Sequence, residues 1–143
     1  MPTTVFTNGC FDLLHAGHVD FLRRCRDLGD RLIVGINVDA TIRTLKGSTR
    51  PICSLEERVA VLAACRYVDE VIPFTEPTPS NLIDRLRPDI IVKGPGYSAS
   101  NMPEAAVVQA YGGKIVILDG RKLSTTTLIE RVRVRASPQP GES

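Results

Sequence analysis

Short apolar runs alternate with amphipathic stripes along the whole chain. The runs are Val5–Thr7, Leu32–Ile36, Val68–Phe74, Ile90–Val92 and Ile115–Leu118. They show little polar alternation, the pattern of strands covered on both faces in a parallel sheet. Between them, helical spacing takes over. Phe21, Leu22, Cys25 and Leu28 form one stripe over residues 18–28, with Arg23, Arg24, Arg26 and Asp27 turned away and Gly29 placed to close the helix. Ser54 and Glu57 make a capping box ahead of the stripe Leu55, Val59, Leu62 and Ala63. Ser80 is predicted to cap a short helix running to Arg87, ahead of Pro88. Pro103 suits the first turn of a helix ending at Tyr111, before Gly112-Gly113. A last helix starts in the run Ser124–Thr127 and is predicted to carry Leu128, Ile129 and Val132 inward; Thr127 with Glu130 offers an alternative start.

This alternation predicts one α/β domain over residues 1–135. The expected fold is a Rossmann-like, doubly wound parallel sheet of about five strands, with right-handed crossovers and helices on both faces. Residues 136–143 hold nothing apolar to bury and are expected to be a disordered tail. Ligands of such sheets bind at the carboxyl ends of the strands, where strand order reverses. Chemistry is therefore sought in the loops that follow strands.

Charge narrows the partners. In 143 residues, 18 Lys and Arg against 16 Asp and Glu leave a net charge of +2. That is too little for a nucleic-acid or anionic-membrane surface, and no apolar run approaches the ~20 residues of a membrane span. The opening residues lack the basic start and apolar stretch of a signal peptide, which points to a cytoplasmic chain. Cys10, Cys25, Cys53 and Cys65 form no Cys-x-x-Cys pair and read as free thiols of a reducing compartment. A zinc site built on Cys10, His15 and His18 would want a fourth ligand and paired spacing that the sequence does not offer.

The loop after the first run concentrates the candidate chemistry. Both histidines of the chain, His15 and His18, fall here with Gly17 between them. At spacing three they share one face of a helical turn. Gly17 lets a ligand approach the backbone. Imidazole donors at a helix N-terminus, where the dipole already favours anions, suit a polyphosphate.

The stretch Gly9-Cys10-Phe11-Asp12-Leu13-Leu14-His15-Ala16-Gly17-His18 resembles the first motif of the cytidylyltransferase-like nucleotidylyltransferases. The resemblance continues through Leu45-Lys46-Gly47, Arg50-Pro51, Glu57-Arg58, Val92-Lys93-Gly94 and Ser124-Thr125-Thr126, over about residues 3 to 135. Within that family the chain is most similar to the bacterial heptose 1-phosphate adenylyltransferases. The likeness lies in Thr7–Asp12, in Leu32–Asp39 and in the spacing onward to Pro51.

The resemblance implies transfer of a nucleotidyl group from ATP to a sugar 1-phosphate, with pyrophosphate released and Mg²⁺ bridging phosphate oxygens. It implies catalytic roles for His15, His18 and Lys46. It implies nucleotide contacts from Asn8, Gly9, Cys10, Phe11, Gly17, Lys93, Ser124, Thr125 and Thr126. Asp12, Asp39, Arg50, Arg58 and Tyr97 would serve the acceptor or its phosphate, with Asp12 orienting the loop rather than acting as a base. Arg121 and Lys122 fit either the site or a solvated turn. A homodimer is implied as well, and no metal ligand from the protein.

Two departures bear on the substrates. Pro95 and Gly96 stand where the heptose enzymes usually carry Gly-Asp ahead of the tyrosine, here Tyr97. Gly120-Arg121-Lys122-Leu123 stands where cytidylyltransferases usually carry Arg-Thr-x-Gly, which favours ATP over CTP. The alternatives are a CTP-dependent enzyme acting on a polyol or amino-alcohol phosphate, a nucleotide sensor without turnover, and a flavodoxin-like domain on the same topology. Lys46 to Arg50, with two cations and no apolar anchor, is expected to be a mobile lid.

Overall fold

The computed structural model describes residues 2–120 and 125–136. Five strands form one sheet: β1 (Thr4–Gly9), β2 (Arg31–Asn37), β3 (Glu70–Phe74), β4 (Ile90–Lys93) and β5 (Lys114–Ile117). Among the described residues six α-helices join and flank them: α1 (Ala16–Arg26), α2 (Asp39–Lys46), α3 (Leu55–Ala63), α4 (Ser80–Leu86), α5 (Ala105–Ala110) and α6 (Thr125–Ala136). The order across the sheet is β3-β2-β1-β4-β5, with every pair parallel. The chain winds outward from β1 through β2 to β3, then crosses back to β4. Strand order therefore reverses between β1 and β4, and a crevice opens at their carboxyl ends.

The apolar runs split by parity, because successive side chains of a strand point to opposite faces. Val5, Leu32, Val34, Ile36 and Val92 pack on one face with Leu22 and Cys25 of α1 and Leu62 of α3. Phe6, Ile33, Ile91 and Phe74 pack on the other with Leu82 and Ile83 of α4 and Val108 of α5. Each face thus has its own core, as a doubly wound sheet requires. Gly35 is fixed by this packing: a Cβ there would lie 2.8 Å from the Phe6 ring and 3.3 Å from that of Phe74.

Several local expectations change. α1 starts at Ala16 and ends at Arg26, with Asp27 as its C-cap. Gly29 therefore does not close the helix. A Cβ on it would stand 2.7 Å from Val5 and 2.8 Å from the Thr3 carbonyl, so close approach to β1 selects glycine there. Ser80 is the first residue of α4 rather than its cap, Pro79 takes the cap position, and Arg87 ends the helix in the left-handed region at φ 45°. Val132 is 63% exposed, not inward, whereas Leu128 and Ile129 are half-buried. α2 was not anticipated; Ile42 is its one buried residue, too few to write a stripe. Ser124, Arg121, Lys122 and the tail from 137 lie outside the described residues. Among the described residues no helix is long and apolar enough to cross a membrane.

Candidate functional site

The site is built around the turn that leaves β1. Phe11 (φ 50°) and Leu13 (φ 52°) both adopt the left-handed conformation, on either side of Asp12. Such residues cost about 1–3 kcal/mol each and persist only where their surroundings over-determine them. Here the Phe11 ring is buried and the Asp12 carboxylate is fully committed. Asp12 Oδ2 accepts from Arg50 Nε at 3.0 Å and from the Ile52 N–H at 2.7 Å, and Oδ1 accepts from the Cys53 N–H at 2.9 Å. Burial by itself would raise this carboxyl, but the two backbone donors and the Arg50 guanidinium outweigh it and hold the pKa below the usual carboxylate value. The Asp12 carbonyl also accepts from the Thr125 hydroxyl at the start of α6. One residue therefore ties the β1 turn both to the segment before α3 and to the last helix.

That turn delivers the two histidines to the N-terminus of α1 as a reciprocal cap. His15 is the N-cap, and its Nδ1 accepts from the Gly17 N–H at 3.1 Å. The His15 N–H donates in turn to Nδ1 of His18 at 3.2 Å. Because each Nδ1 is an acceptor, each neutral ring carries its proton on Nε2. The ring centroids lie 3.9 Å apart. His15 Nε2 is buried and has no hydrogen-bond partner among the described residues. Burial pushes the His18 pKa down to about 4, helped by the His15 ring and the Lys46 ammonium, and burial lowers His15 as well. Both rings are thus neutral donors at neutral pH.

Acid should therefore weaken the fold through this cap. The folded His18 pKa lies below the unfolded value of about 6.5, so the unfolded chain binds protons first as pH falls. The contribution is complete above about pH 6.5 and declines toward pH 4. Calorimetric Tm is expected to fall across that window in the wild type and to fall less in His18→Asn, whose amide oxygen can still accept from the His15 N–H. Equal slopes for the two proteins would contradict the assignment.

The cleft above this turn encloses ≈ 690 Å³. Asn8, Gly9, Cys10, Phe11 and Asp12 line it from the β1 end, Gly17 and His18 from α1, and Thr125 and Thr126 from α6. Lys46 and Arg50 border it on one side and Lys93 and Tyr97 on the other. Lys93 closes β4, where its ammonium meets Asn8 Oδ1 at 2.6 Å and Glu104 Oε1 at 2.7 Å. Glu104, absent from the sequence-based candidates, lies buried just before α5; the ten residues 94–103 separate it from Lys93, so no local pattern announces the pair.

Arg58 and Asp39, expected to serve the acceptor, do not line the cleft. Arg58 is 2% exposed and sits behind the cleft wall. Its Nη1 donates to the carbonyls of Cys10 (2.9 Å) and Asn37 (2.7 Å), its Nε to that of Cys53 (3.1 Å), and its Nη2 to Asp39 Oδ1 (2.6 Å). The guanidinium thereby ties together the ends of β1 and β2 and the entrance to α3. Of the segment expected to be a lid, Lys46 ends α2 and Arg50 is anchored on Asp12, which leaves residues 47–49 as the exposed stretch between them.

All four cysteines are free. Burial raises the Cys10 thiol, and it pushes Cys25 up to about 12, so neither is primed as a nucleophile. Among the described residues no group of three or more His, Cys, Asp or Glu stands close enough to hold a metal ion.

The comparisons agree with this geometry. A family model described as cytidylyltransferase-like matches residues 6–135. The bifunctional protein HldE of Syntrophotalea carbinolica is 52% identical over 133 residues, 91% of this chain but 27% of that protein. HldE of Pseudomonas aeruginosa strain LESB58 is 50% identical over 132 residues, 92% of this chain and 28% of that protein. The chain thus spans about a quarter of the length of these curated relatives. A lipopolysaccharide core biosynthesis protein from Thermoplasma volcanium superposes with a TM-score of 0.69 at 28% identity, covering 87% of this chain and all of that one. Pantoate-beta-alanine ligase from Francisella tularensis shares the fold at a TM-score of 0.59 and 16% identity, over 93% of this chain and 70% of its own. The turn with its paired histidines, the cleft at the reversal of strand order and the match over nearly the whole chain together place this protein in the cytidylyltransferase-like family.

Proposed function

We propose that the cleft transfers an adenylyl group from ATP to a sugar 1-phosphate, with heptose 1-phosphate the expected acceptor. An acceptor phosphate oxygen attacks the α-phosphorus in line. The new P–O bond forms as the bond to the bridging oxygen of the β-phosphate breaks, and pyrophosphate leaves. No protein nucleophile takes part. The protein positions both substrates and stabilises the charge that develops on the phosphorus oxygens.

The observation that carries this reading is the histidine pair. Both rings are held neutral with the proton on Nε2; His18 lines the cleft, and behind it, with ring centroids 3.9 Å apart, the buried Nε2 of His15 has no partner among the described residues. A buried donor left unsatisfied is costly, so this reading assigns it a phosphate oxygen that reaches past His18. Thr125 and Thr126, at the start of α6, line the same cleft, and a helix N-terminus favours an anion. The sequence relatives named HldE and the lipopolysaccharide core protein support the sugar-phosphate assignment. Mg²⁺ belongs to this reading as part of the Mg·ATP substrate. The cleft carboxylates Asp12 and Glu104 are committed to protein donors, and Mg²⁺ characteristically keeps substrate phosphates and water as ligands. A homodimer is carried over from the resemblance, and light scattering tests it.

Pyrophosphate release measured over a matrix of nucleoside triphosphates and phosphorylated acceptors tests the whole reading. ATP with heptose 1-phosphate is expected to give the highest kcat/KM. A higher value with CTP and a polyol phosphate would replace it, and tight nucleotide binding without turnover would make the domain a sensor.

Lys46 provides a narrower check. It is exposed at the end of α2 and borders the cleft. Lys46→Ala is expected to raise KM for ATP by about tenfold or more, the loss of one charge-assisted contact, with Tm unchanged. An unaltered KM would remove Lys46 from the triphosphate site.

A further inference from the structure

The cleft wall formed by the end of β4 carries a charge pair whose acidic member, Glu104, the proposed reaction leaves without a task. The Lys93 ammonium lies 2.7 Å from Glu104 Oε1, and the two side chains are only 7% and 4% exposed. Asn8 Oδ1 takes a second ammonium hydrogen at 2.6 Å, and the Tyr97 ring faces the nitrogen at 5.3 Å. All four residues line the cleft.

A buried ion pair is a poor device for stability, since apolar residues of similar volume often serve as well or better. The rest of β4, Ile90 to Val92, is apolar and continues into both cores. Charge is kept only at its last residue, where the crevice opens. An ammonium has three hydrogens. Asn8 and Glu104 engage two, so one remains for a ligand. The pairing also removes the mobility of a long lysine stem before any ligand arrives, so the donor needs no reorganisation.

We propose that Glu104 is a positioning residue that pins Lys93 against Asn8 and, as its resident counter-ion, limits how tightly the ammonium holds a ligand phosphate. The proposal takes its ligand class from the nucleotidyl-transfer reading. The phosphate belongs either to the nucleotide or to the sugar phosphate. An uncompensated cation at this point would retain a charged product; Glu104 lets it leave.

Glu104→Gln tests this, because it keeps the size of the side chain and an oxygen for Lys93 while removing the charge. Wild type and variant are titrated calorimetrically with inorganic pyrophosphate and, separately, with a hexose 1-phosphate, alongside steady-state kinetics. The variant is expected to bind at least one probe about tenfold more tightly, the effect of one unit charge at close range. Tightening of pyrophosphate assigns Lys93 to the nucleotide, and tightening of the hexose phosphate assigns it to the acceptor. KM for that substrate and kcat are expected to fall together as release slows, a signature that a merely structural defect does not give. Unchanged or weaker binding of both probes by the folded variant overturns the proposal, as does a wild type that binds neither.

If Glu104→Gln does not fold, the double variant Lys93→Met with Glu104→Leu decides. It is expected to fold, with an apolar pair in place of the charges, and to bind the same probe at least about tenfold more weakly; wild-type affinity would overturn the proposal. The titrations need no turnover. A wild type that binds but releases no pyrophosphate from any substrate pair therefore defeats the nucleotidyl-transfer reading alone.

Discussion

His18→Ala is expected to slow pyrophosphate release by about 10²–10³-fold, the usual cost of removing one preorganised donor to a developing oxyanion. The same substitution removes the Nδ1 that accepts from the His15 N–H, so a loss of about 1 kcal/mol in stability should accompany it, as for other helix caps. Two effects in one variant invite a structural explanation, and His18→Asn separates them. Its amide oxygen can occupy the place of Nδ1 and keep the cap, while nothing replaces the Nε2–H. His18→Asn should melt close to wild type and still turn over as slowly as His18→Ala. Activity recovered along with the melting temperature would mean that the cap alone matters. His15→Ala should show a similar rate loss, because its Nε2 is buried without a partner among the described residues.

The second large effect lies at Asp12, where the expected cost is in folding. The carboxylate accepts from Arg50 and from two backbone N–H groups, and it is 1% exposed. Asp12→Ala leaves a buried guanidinium without its counter-charge and orphans both amides, so about 3–5 kcal/mol of stability should be lost. Urea unfolding measures this directly. Removing Arg50 in the same chain should return part of the loss, since the penalty is largely that of the uncompensated cation. Asp12→Asn keeps an acceptor oxygen and should cost less than Asp12→Ala. A loss below about 1 kcal/mol in Asp12→Ala would show that the turn between Phe11 and Leu13 is held by other means.

Sequence pattern was sufficient wherever structure depends on neighbours in the chain. The strands were legible because positions covered on both faces leave short apolar runs, clearest in β2 and β4. α3 was legible because Ser54 and Glu57 carry its cap within four residues. The placement of the histidine pair at the start of α1 was legible for the same reason, since their spacing is local. α2 was not, because a helix that buries only Ile42 writes no stripe. The roles of Arg58, Arg50 and Glu104 were decided by the tertiary structure. Arg58 reaches back 48 residues to the Cys10 carbonyl, Arg50 reaches 38 to Asp12, and Thr125 reaches 113 to the same turn. The residue type shows that a cation is present, but only the sheet order brings its partner within reach. Whether a charged side chain faces ligand or holds the wall behind it depends on which carbonyls and carboxylates the fold has already set around it.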